Sequence, residues 1–341
     1  MRRRLSLAFL VLVLTGPALA AEGRIPLSTP TILAGPGHYY VTRDIVGDGT
    51  GVFSITADGV TVDLNGFTLS DPSGDVISIT GTTAGALNGV TIRNGRISGG
   101  YAAIYASSQA ARRIRVEGVV IEGTGERGIL IENADVAIVR ECVISDTADS
   151  GIEVHRTSGS FSGKIVDNQV TGASRSGILL DGLSAGEVRG NQVLGCGAAG
   201  GSAVGILLDA PLGSGAGGNL VVENLVSDYL GVLYAIHITD EVDENLVRGN
   251  VVRGSAGDGF VVESTDSLIV DNVSSANTRA GIWLGGGRNL LDLNQISGNG
   301  QYGLFCADLE QHAYRDNMLR GNVPSATSTC VGTTDAGGNL P

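Results

Sequence analysis

Acids, histidines and aromatics recur at matched positions in eight short stretches of this sequence. Two of the stretches are identical: Gly177-Ile178-Leu179-Leu180-Asp181 and Gly205-Ile206-Leu207-Leu208-Asp209. Related copies open at Gly128, Gly151, Ala235, Gly259, Gly281 and Gly303. Four residues after the opening small residue stand Glu132, His155, Asp181, Asp209, Thr239 and Glu263. Two residues after it stand Leu130, Glu153, Leu179, Leu207, His237, Val261, Trp283 and Phe305. Stacked copies would turn these into an acidic column beside an apolar and aromatic one. Carboxylates one strand apart, ~4.8 Å, repel, so one of them must hold a proton or share a cation. That spacing is near the ~5–5.5 Å of a retaining glycosidase pair. Asp181, Asp209, His155 and Glu132 are therefore the candidate catalytic residues. Calcium would accept the same oxygens, with Asp181 and Asp209 as its ligands; no other cofactor is called for. Glu153, His237, Trp283 and Phe305 are candidate substrate-binding residues, because rings stack on sugars while polar groups take hydroxyls. Arg156 and Arg175 flank the strand and join them as charge neutralisers. The competing reading is that an Asp at a strand end bonds the turn that follows it.

The elements that must position these residues follow from the spacing. One and three residues after each opening residue the side chain is apolar, and the positions between vary. That period of two is a β-strand with one buried face. From residue 128 the copies step by 23, 26, 28, 30, 24, 22 and 22 residues, a period that signals a solenoid. A second motif follows each strand, as in Ile165-Val166-Asp167-Asn168-Gln169-Val170 and Val247-Arg248-Gly249-Asn250-Val251-Val252. It recurs at Asn191, Asn224, Asn272, Asn294 and Asn317. Two short strands joined at an Asn fit it, since Asn tolerates the left-handed turn conformation and bonds nearby backbone. The fold predicted is all-β: a right-handed parallel β-helix of about eleven coils, three parallel sheets and an Asn ladder.

Further stretches carry a family resemblance. Gly37-His38-Tyr39-Tyr40-Val41-Thr42-Arg43-Asp44, Val60-Thr61-Val62-Asp63-Leu64-Asn65-Gly66-Phe67 and the Asn-turn coils resemble the secreted right-handed β-helix repeat family of the pectate-lyase-like superfamily. The resemblance implies that the Gly-Ile-x-Leu-x strand faces a substrate and that the substrate is a polysaccharide or other glycan. The sequence lacks the Asn-Thr-Asp, Gly-Asp-Asp, Gly-His-Gly and Arg-Ile-Lys set of polygalacturonase-like hydrolases. It also lacks the Trp-Ile-Asp-His element of pectate lyases, so no family catalytic set transfers. Two functions remain in play, a polysaccharide lyase or hydrolase and a non-catalytic glycan- or protein-binding scaffold.

Composition bounds the setting. Residues 1–20 read as a signal peptide: three Arg, the apolar run Leu5 to Leu14, and Ala18-Leu19-Ala20 for cleavage. Residues 21–50 then read as an N-terminal cap, 51–322 as the β-helix and 323–341 as a C-terminal tail or cap. The protein is thus expected to be secreted or periplasmic, monomeric and not inserted in a membrane. The formal net charge is −13 for the full chain. Such a surface repels nucleic acid. Cys142 and Cys196 fall two coils apart, ~10 Å, beyond the ~7 Å reach of a disulfide. Cys306 and Cys330, about one coil apart, are placed to pair in an oxidising compartment; two free thiols are the alternative. The four His, at 38, 155, 237 and 312, are too scattered for a His metal site.

Overall fold

In the computed structural model, described for residues 23–81, 87–107, 112–198, 203–231, 233–307, 311–323, 325–328, 334–335 and 337–340, the chain winds as a parallel β-solenoid. Each coil supplies three short strands, one to each of three ladders. The Gly-Ile-x-Leu-x strands form a separate sheet of 13 strands, here called the site sheet. The other two ladders join into one sheet of 24 strands. They fuse because the ten-residue strands Val90–Gly99 and Arg113–Glu122 run through both. Eleven strands of the site sheet, from Phe53–Ile55 to Tyr302–Cys306, fall within residues 51–322. The strands Arg24–Leu27, Thr31–Leu33 and Gly37–Val41 continue the same parallel pairing toward the N-terminus.

The period of two in the sequence becomes the inside and outside of the coil. Ile129, Ile131, Ile152, Val154, Ile178, Leu180, Ile206 and Leu208 all point into the core and are fully buried. The opening Gly is needed for space. A Cβ on Gly177 would stand 2.3 Å from Val193 Cγ1 and 2.8 Å from the Gly205 carbonyl oxygen.

The Asn ladder is present. Asn168, Asn191, Asn224, Asn250, Asn272, Asn294 and Asn317 each pass a side-chain Nδ2–H to the Oδ1 of the next, at 2.9–3.1 Å, the last acceptor being Asn339. One detail differs from the sequence expectation. The left-handed residue is the one before each Asn: Asp167, Glu223, Asp271, Leu293 and Asp316 have φ of 53–57°, and glycines 190 and 249 take that place elsewhere. The Asn itself serves as a buried double bonder. Two more corners repeat the device. Asn277 donates to Asn299 and Asn299 to Asn322, both at 2.9 Å. At the third, Asn219, Asn245 and Ser267 bond the coil before them through their side-chain oxygens. Cys142 heads the first ladder, its backbone N–H donating to Asn168 Oδ1. Burial pushes the Cys142 thiol up to about 12 and the Cys196 thiol to about 11, so both are unreactive packing groups.

Cys142 and Cys196 are free and Cys306 is disulfide-bonded; its expected partner, Cys330, lies outside the described residues. So does the expected signal segment 1–20. Among the described residues no helix is long and apolar enough to cross a membrane.

The ladder makes a stability prediction. Asn250 accepts from the Asn224 backbone and side chain and donates to the Val221 carbonyl and to Asn272 Oδ1. Asn250→Ala orphans those partners in the core, each worth ~1–3 kcal/mol when unpaired. The variant should lose about 3–5 kcal/mol, while Asn339→Ala, at a part-buried rung, loses far less. Urea unfolding of both variants checks this; equal losses would show that the ladder does not act as a buried network.

Candidate functional site

The register places the expected columns on one outward face. Glu132 is followed in the next strands by His155, Asp181 and Asp209. Leu130, Glu153, Leu179, Leu207, His237, Val261, Trp283 and Phe305 make the parallel column. The acids of the first column are half-buried, and Glu153 is buried.

At one end the side chains form a continuous polar run. Tyr105 OH donates to Glu132 Oε2 at 3.2 Å. Glu132 Oε1 lies 3.5 Å from His155 Nε2, and His155 Nδ1 lies 3.4 Å from Glu153 Oε1. Arg127 Nε donates to Glu153 Oε2 at 2.7 Å and Nη1 to Glu126 Oε2 at 2.5 Å, with Asp149 Oδ2 at 3.4 Å. Tyr101 OH donates to Glu126. A cavity of about 250 Å³ opens here, lined by Asp75, Tyr101, Tyr105, Arg127, Leu130 and Glu132 among others. The hydrogen bond to Glu153 raises the His155 imidazole above its ordinary value against some burial, and the charges of Glu132, Glu153 and Asp181 add to the rise. Burial would raise Glu153, yet its bonds from His155 and Arg127 outweigh that and hold it low.

Asp181 and Asp209 sit directly next to each other and differ. Burial, then the charge of Asp209, raises the Asp181 carboxyl, and His155 offsets this only in part. Asp181 Oδ1 is buried with no hydrogen-bond partner. Asp209 Oδ1 accepts from Thr239 Oγ1 and from the Ala210 backbone N–H, both at 2.9 Å. The local-turn reading thus holds for Asp209 and not for Asp181. Close by, a hydrogen bond with Asp240 pushes Glu241 up to about 7, with Asp209 adding to the rise.

The other end is aromatic. Trp283 and Phe305 lie near-parallel, 14° between planes and 6.3 Å between centroids, and Tyr302 tilts onto Phe305 at 5.5 Å. His237 Nε2 lies 2.8 Å from Glu263 Oε2.

Arg156 and Arg175 do not reach the columns as neutralisers. Arg156 donates to Ser158 O, Ala134 O and Asp135 Oδ1, which ties it to the loops. Arg175 pairs with Asp149 at 3.4 Å. Arg127 takes the charge-neutralising position instead. Tyr101, Tyr105, Asp75 and Glu126 were not among the expected site residues. In the structure Ile104-Tyr105-Ala106 pairs in register with Ile129-Leu130-Ile131, which puts Tyr105 in the Leu130 column. Calcium at Asp181 and Asp209 would find two neighbouring carboxyls. It takes about six to eight oxygens, and among the described residues no three His, Cys, Asp or Glu are grouped to hold a metal.

Known proteins extend this picture. A family model described as the right-handed β-helix region matches residues 45–210. A second, described as the periplasmic copper-binding protein NosD, matches residues 213–336. The chain is a right-handed parallel β-helix protein. Solved structures similar to this β-helix include a mannuronan C-5 epimerase A-module from Azotobacter vinelandii, 14% identical, TM-score 0.54, over 90% of this chain and 91% of that one. The periplasmic alginate epimerase is 14% identical, TM-score 0.54, over 88% of this chain and 79% of that one. The catalytic domain of a GH87 α-1,3-glucanase, solved with tetrasaccharides, is 13% identical, TM-score 0.57, over 88% and 64%. At such identities the likeness is of fold alone. No curated protein matches the sequence. Copper favours imidazole, thiolate and thioether donors. Among the described residues of the matched stretch, His237 faces Glu263, His312 is buried, Cys306 is in a disulfide, Met318 lies on a different ladder from His237 and Cys306, and no three His, Cys, Asp or Glu are grouped to hold a metal.

The imidazole yields a pH prediction. A folded-state value raised above 6.5 means a stabilising contribution that is complete below 6.5 and fades as pH rises through the raised value. His155→Gln should therefore lose about 1 kcal/mol near pH ~5, the low end for a bond to a charged group because the ring is part-exposed. By pH ~9 the gap should close. Unfolding curves at both pH values check this; a gap that widens with pH would contradict it.

Proposed function

We propose that this β-helix is a secreted or periplasmic protein that seats an extended polysaccharide on the outward face of the site sheet and cleaves it by acid–base chemistry centred on Asp181. The observation that carries the reading is the contrast within the Asp181–Asp209 pair. Asp181 is raised by burial and by its neighbour and has an unpartnered buried oxygen. Asp209 is anchored by Thr239 and the Ala210 N–H. A carboxyl raised above its ordinary range beside a second carboxyl anchored by hydrogen bonds is how one site can supply both a proton donor and a base or nucleophile.

In this reading Asp181 hands its proton to the leaving glycosidic oxygen. Asp209 acts on the sugar directly, or through water. His155, raised toward its cationic form, flanks Asp181 on the other side and stabilises negative charge that develops there. Arg127 and Glu153 hold His155 in place. From Tyr105 to Trp283 is seven strand steps, or ~34 Å, which suits an extended chain over a monosaccharide. The solved β-helices similar to this chain include polysaccharide-acting proteins, an epimerase and a glucanase, and this supports the substrate class. The net charge of −13 supports a glycan over a nucleic acid, taken up by a single chain without membrane insertion.

A non-catalytic glycan-binding scaffold is the second reading. It is favoured by Asp209, whose Oδ1 is occupied by bonds within its own fold.

The test is a panel of polysaccharides with the wild type, Asp181→Asn and Asp209→Asn. Loss of a positioned acid or base should lower turnover about 10²–10⁴-fold. Because the Asp181 carboxyl is raised, its stabilising contribution is lost as pH rises from 3.8 through the folded-state value. Asp181→Asn should thus be at least as stable as the parent at neutral pH. Wild-type turnover retained by both variants would rule out the cleavage reading, and tight binding with no wild-type turnover would favour the scaffold.

A further inference from the structure

The aromatic end of the face holds a group of side chains that the cleavage chemistry does not use. Tyr234, His237, Glu263 and Trp283 come from three successive coils. The Tyr234 ring meets the His237 ring edge-on, with centroids 4.6 Å apart. The His237 side chain is 13% exposed and that of Glu263 is 34% exposed, so the imidazole is sunk and the carboxylate reaches solvent. Burial, then the charges of Glu263 and Asp258, raise the Tyr234 phenol, which therefore stays a hydrogen-bond donor.

Gly285 explains how the indole joins this group. It occupies the column position held by Asp209, Thr239 and Glu263 in earlier coils. A Cβ there would stand 2.4 Å from Trp283 Cζ3, 2.5 Å from Cη2 and 3.3 Å from Glu263 Cγ. Gly285 is not among the residues of positive φ, so glycine is required for space and not for backbone conformation. The bare backbone lets the Trp283 ring lie over its own strand beside Glu263, with Phe305 near-parallel to it.

We propose that Tyr234, His237, Glu263 and Trp283, set by Gly285, form a sugar-recognition subsite for a ring that bears hydroxyl or amino donors and no carboxylate. The proposal deepens the glycan reading and rests on it. An indole takes the apolar C–H face of a sugar. Glu263 accepts from a hydroxyl or an ammonium, and the His237–Tyr234 pair closes the polar side. A uronate would bring its carboxylate against Glu263, a like-charge contact that works as rejection. Arg279, whose charge reaches Tyr234, is already paired at 3.1 Å with Asp258, whose side chain is 3% exposed. Its charge is therefore offset by a buried carboxylate, although its own side chain is 43% exposed.

The sequence contains one Trp, so intrinsic fluorescence reports this subsite alone. The full chain is titrated with neutral, amino-substituted and uronate oligosaccharides of equal length, with calorimetry in parallel. Neutral and amino sugars should shift Trp283 emission saturably, and the oligouronate should bind at least about tenfold more weakly. Gly285→Ala should move the emission of the free protein and weaken the neutral sugar about tenfold. Glu263→Gln, at a part-exposed position that leaves the packing intact, should bring the oligouronate to within about threefold of the neutral sugar. An oligouronate that binds as tightly as the neutral sugar, or Gly285→Ala and Glu263→Gln that change nothing, would overturn the subsite. Heat of binding with a silent Trp283 would overturn the subsite and leave the glycan face standing. No heat with any sugar would overturn both.

Discussion

The buried amide at the coil corner is the interaction on which the rest of this structure depends. Every coil must turn, and at the turn a backbone N–H points along the solenoid axis with no strand partner. Left unpaired in the interior, that group costs about 1–3 kcal/mol. The Asn of the next coil answers it: Asn191 Oδ1 accepts both the N–H and the side chain of Asn168, at 3.1 and 2.9 Å. The same Asn then donates to Ile165 O and onward to Asn224. An amide is matched to the position because it carries both donor and acceptor and no charge. Asp would leave a carbonyl facing a carboxylate. Leu would leave four polar partners dry. The repeat of one amide per coil therefore fixes rise and register together.

Fixed register is what turns scattered residues into a face. In a parallel pair a slip of one residue would move every inward side chain outward. The ladders prevent that slip from the inside, so the outward positions are free of folding duty and can carry charge. They carry it under tension. Arg127 is shared among Glu126, Asp149 and Glu153, and His155 stands between Glu132 and Glu153. Asp181 has no such partner beyond His155, and burial together with Asp209 raises it. A perturbed carboxyl of this kind makes Asp181 a candidate for function, because a purely structural acid would be expected to find a partner.

The legibility of this protein in its sequence follows the same division. Everything governed by the repeat could be read: the period of two, the Asn turn, the eleven central coils and the membership of both columns. The corner residue in left-handed conformation could not be assigned, because Asp, Glu, Leu and Gly all occupy it and no residue type marks it. The second and third ladders were hidden for a related reason. Ser255 and Ser267 stand where Asn stands in other coils, and mixed columns look like noise in a single sequence. The Tyr105 end of the site was lost because the coils before residue 128 pass through the fused ten-residue strands, which blur the period. The ties of Arg156 to its loop depend on side-chain reach, which spacing does not encode.

The positions where the repeat breaks are then the informative ones. In the outer column an unbroken run of acids would place carboxylates on successive strands ~4.8 Å apart, with repulsion growing at each step. Thr239 interrupts that run between Asp209 and Glu263, and its hydroxyl donates to Asp209. The interruption gives Asp209 a hydrogen-bond donor, whereas Asp181 Oδ1 has none, which sets the two acids apart. Gly285 interrupts the column again, two coils further on, and there the space goes to an indole ring. One break makes two like residues chemically unlike, and the other converts a charged line into an apolar surface. A solenoid whose columns were perfectly regular would have neither distinction. Its repetition supplies the length of the face, and the breaks at Thr239 and Gly285 make the Asp181–Asp209 stretch and the Trp283 stretch chemically unlike.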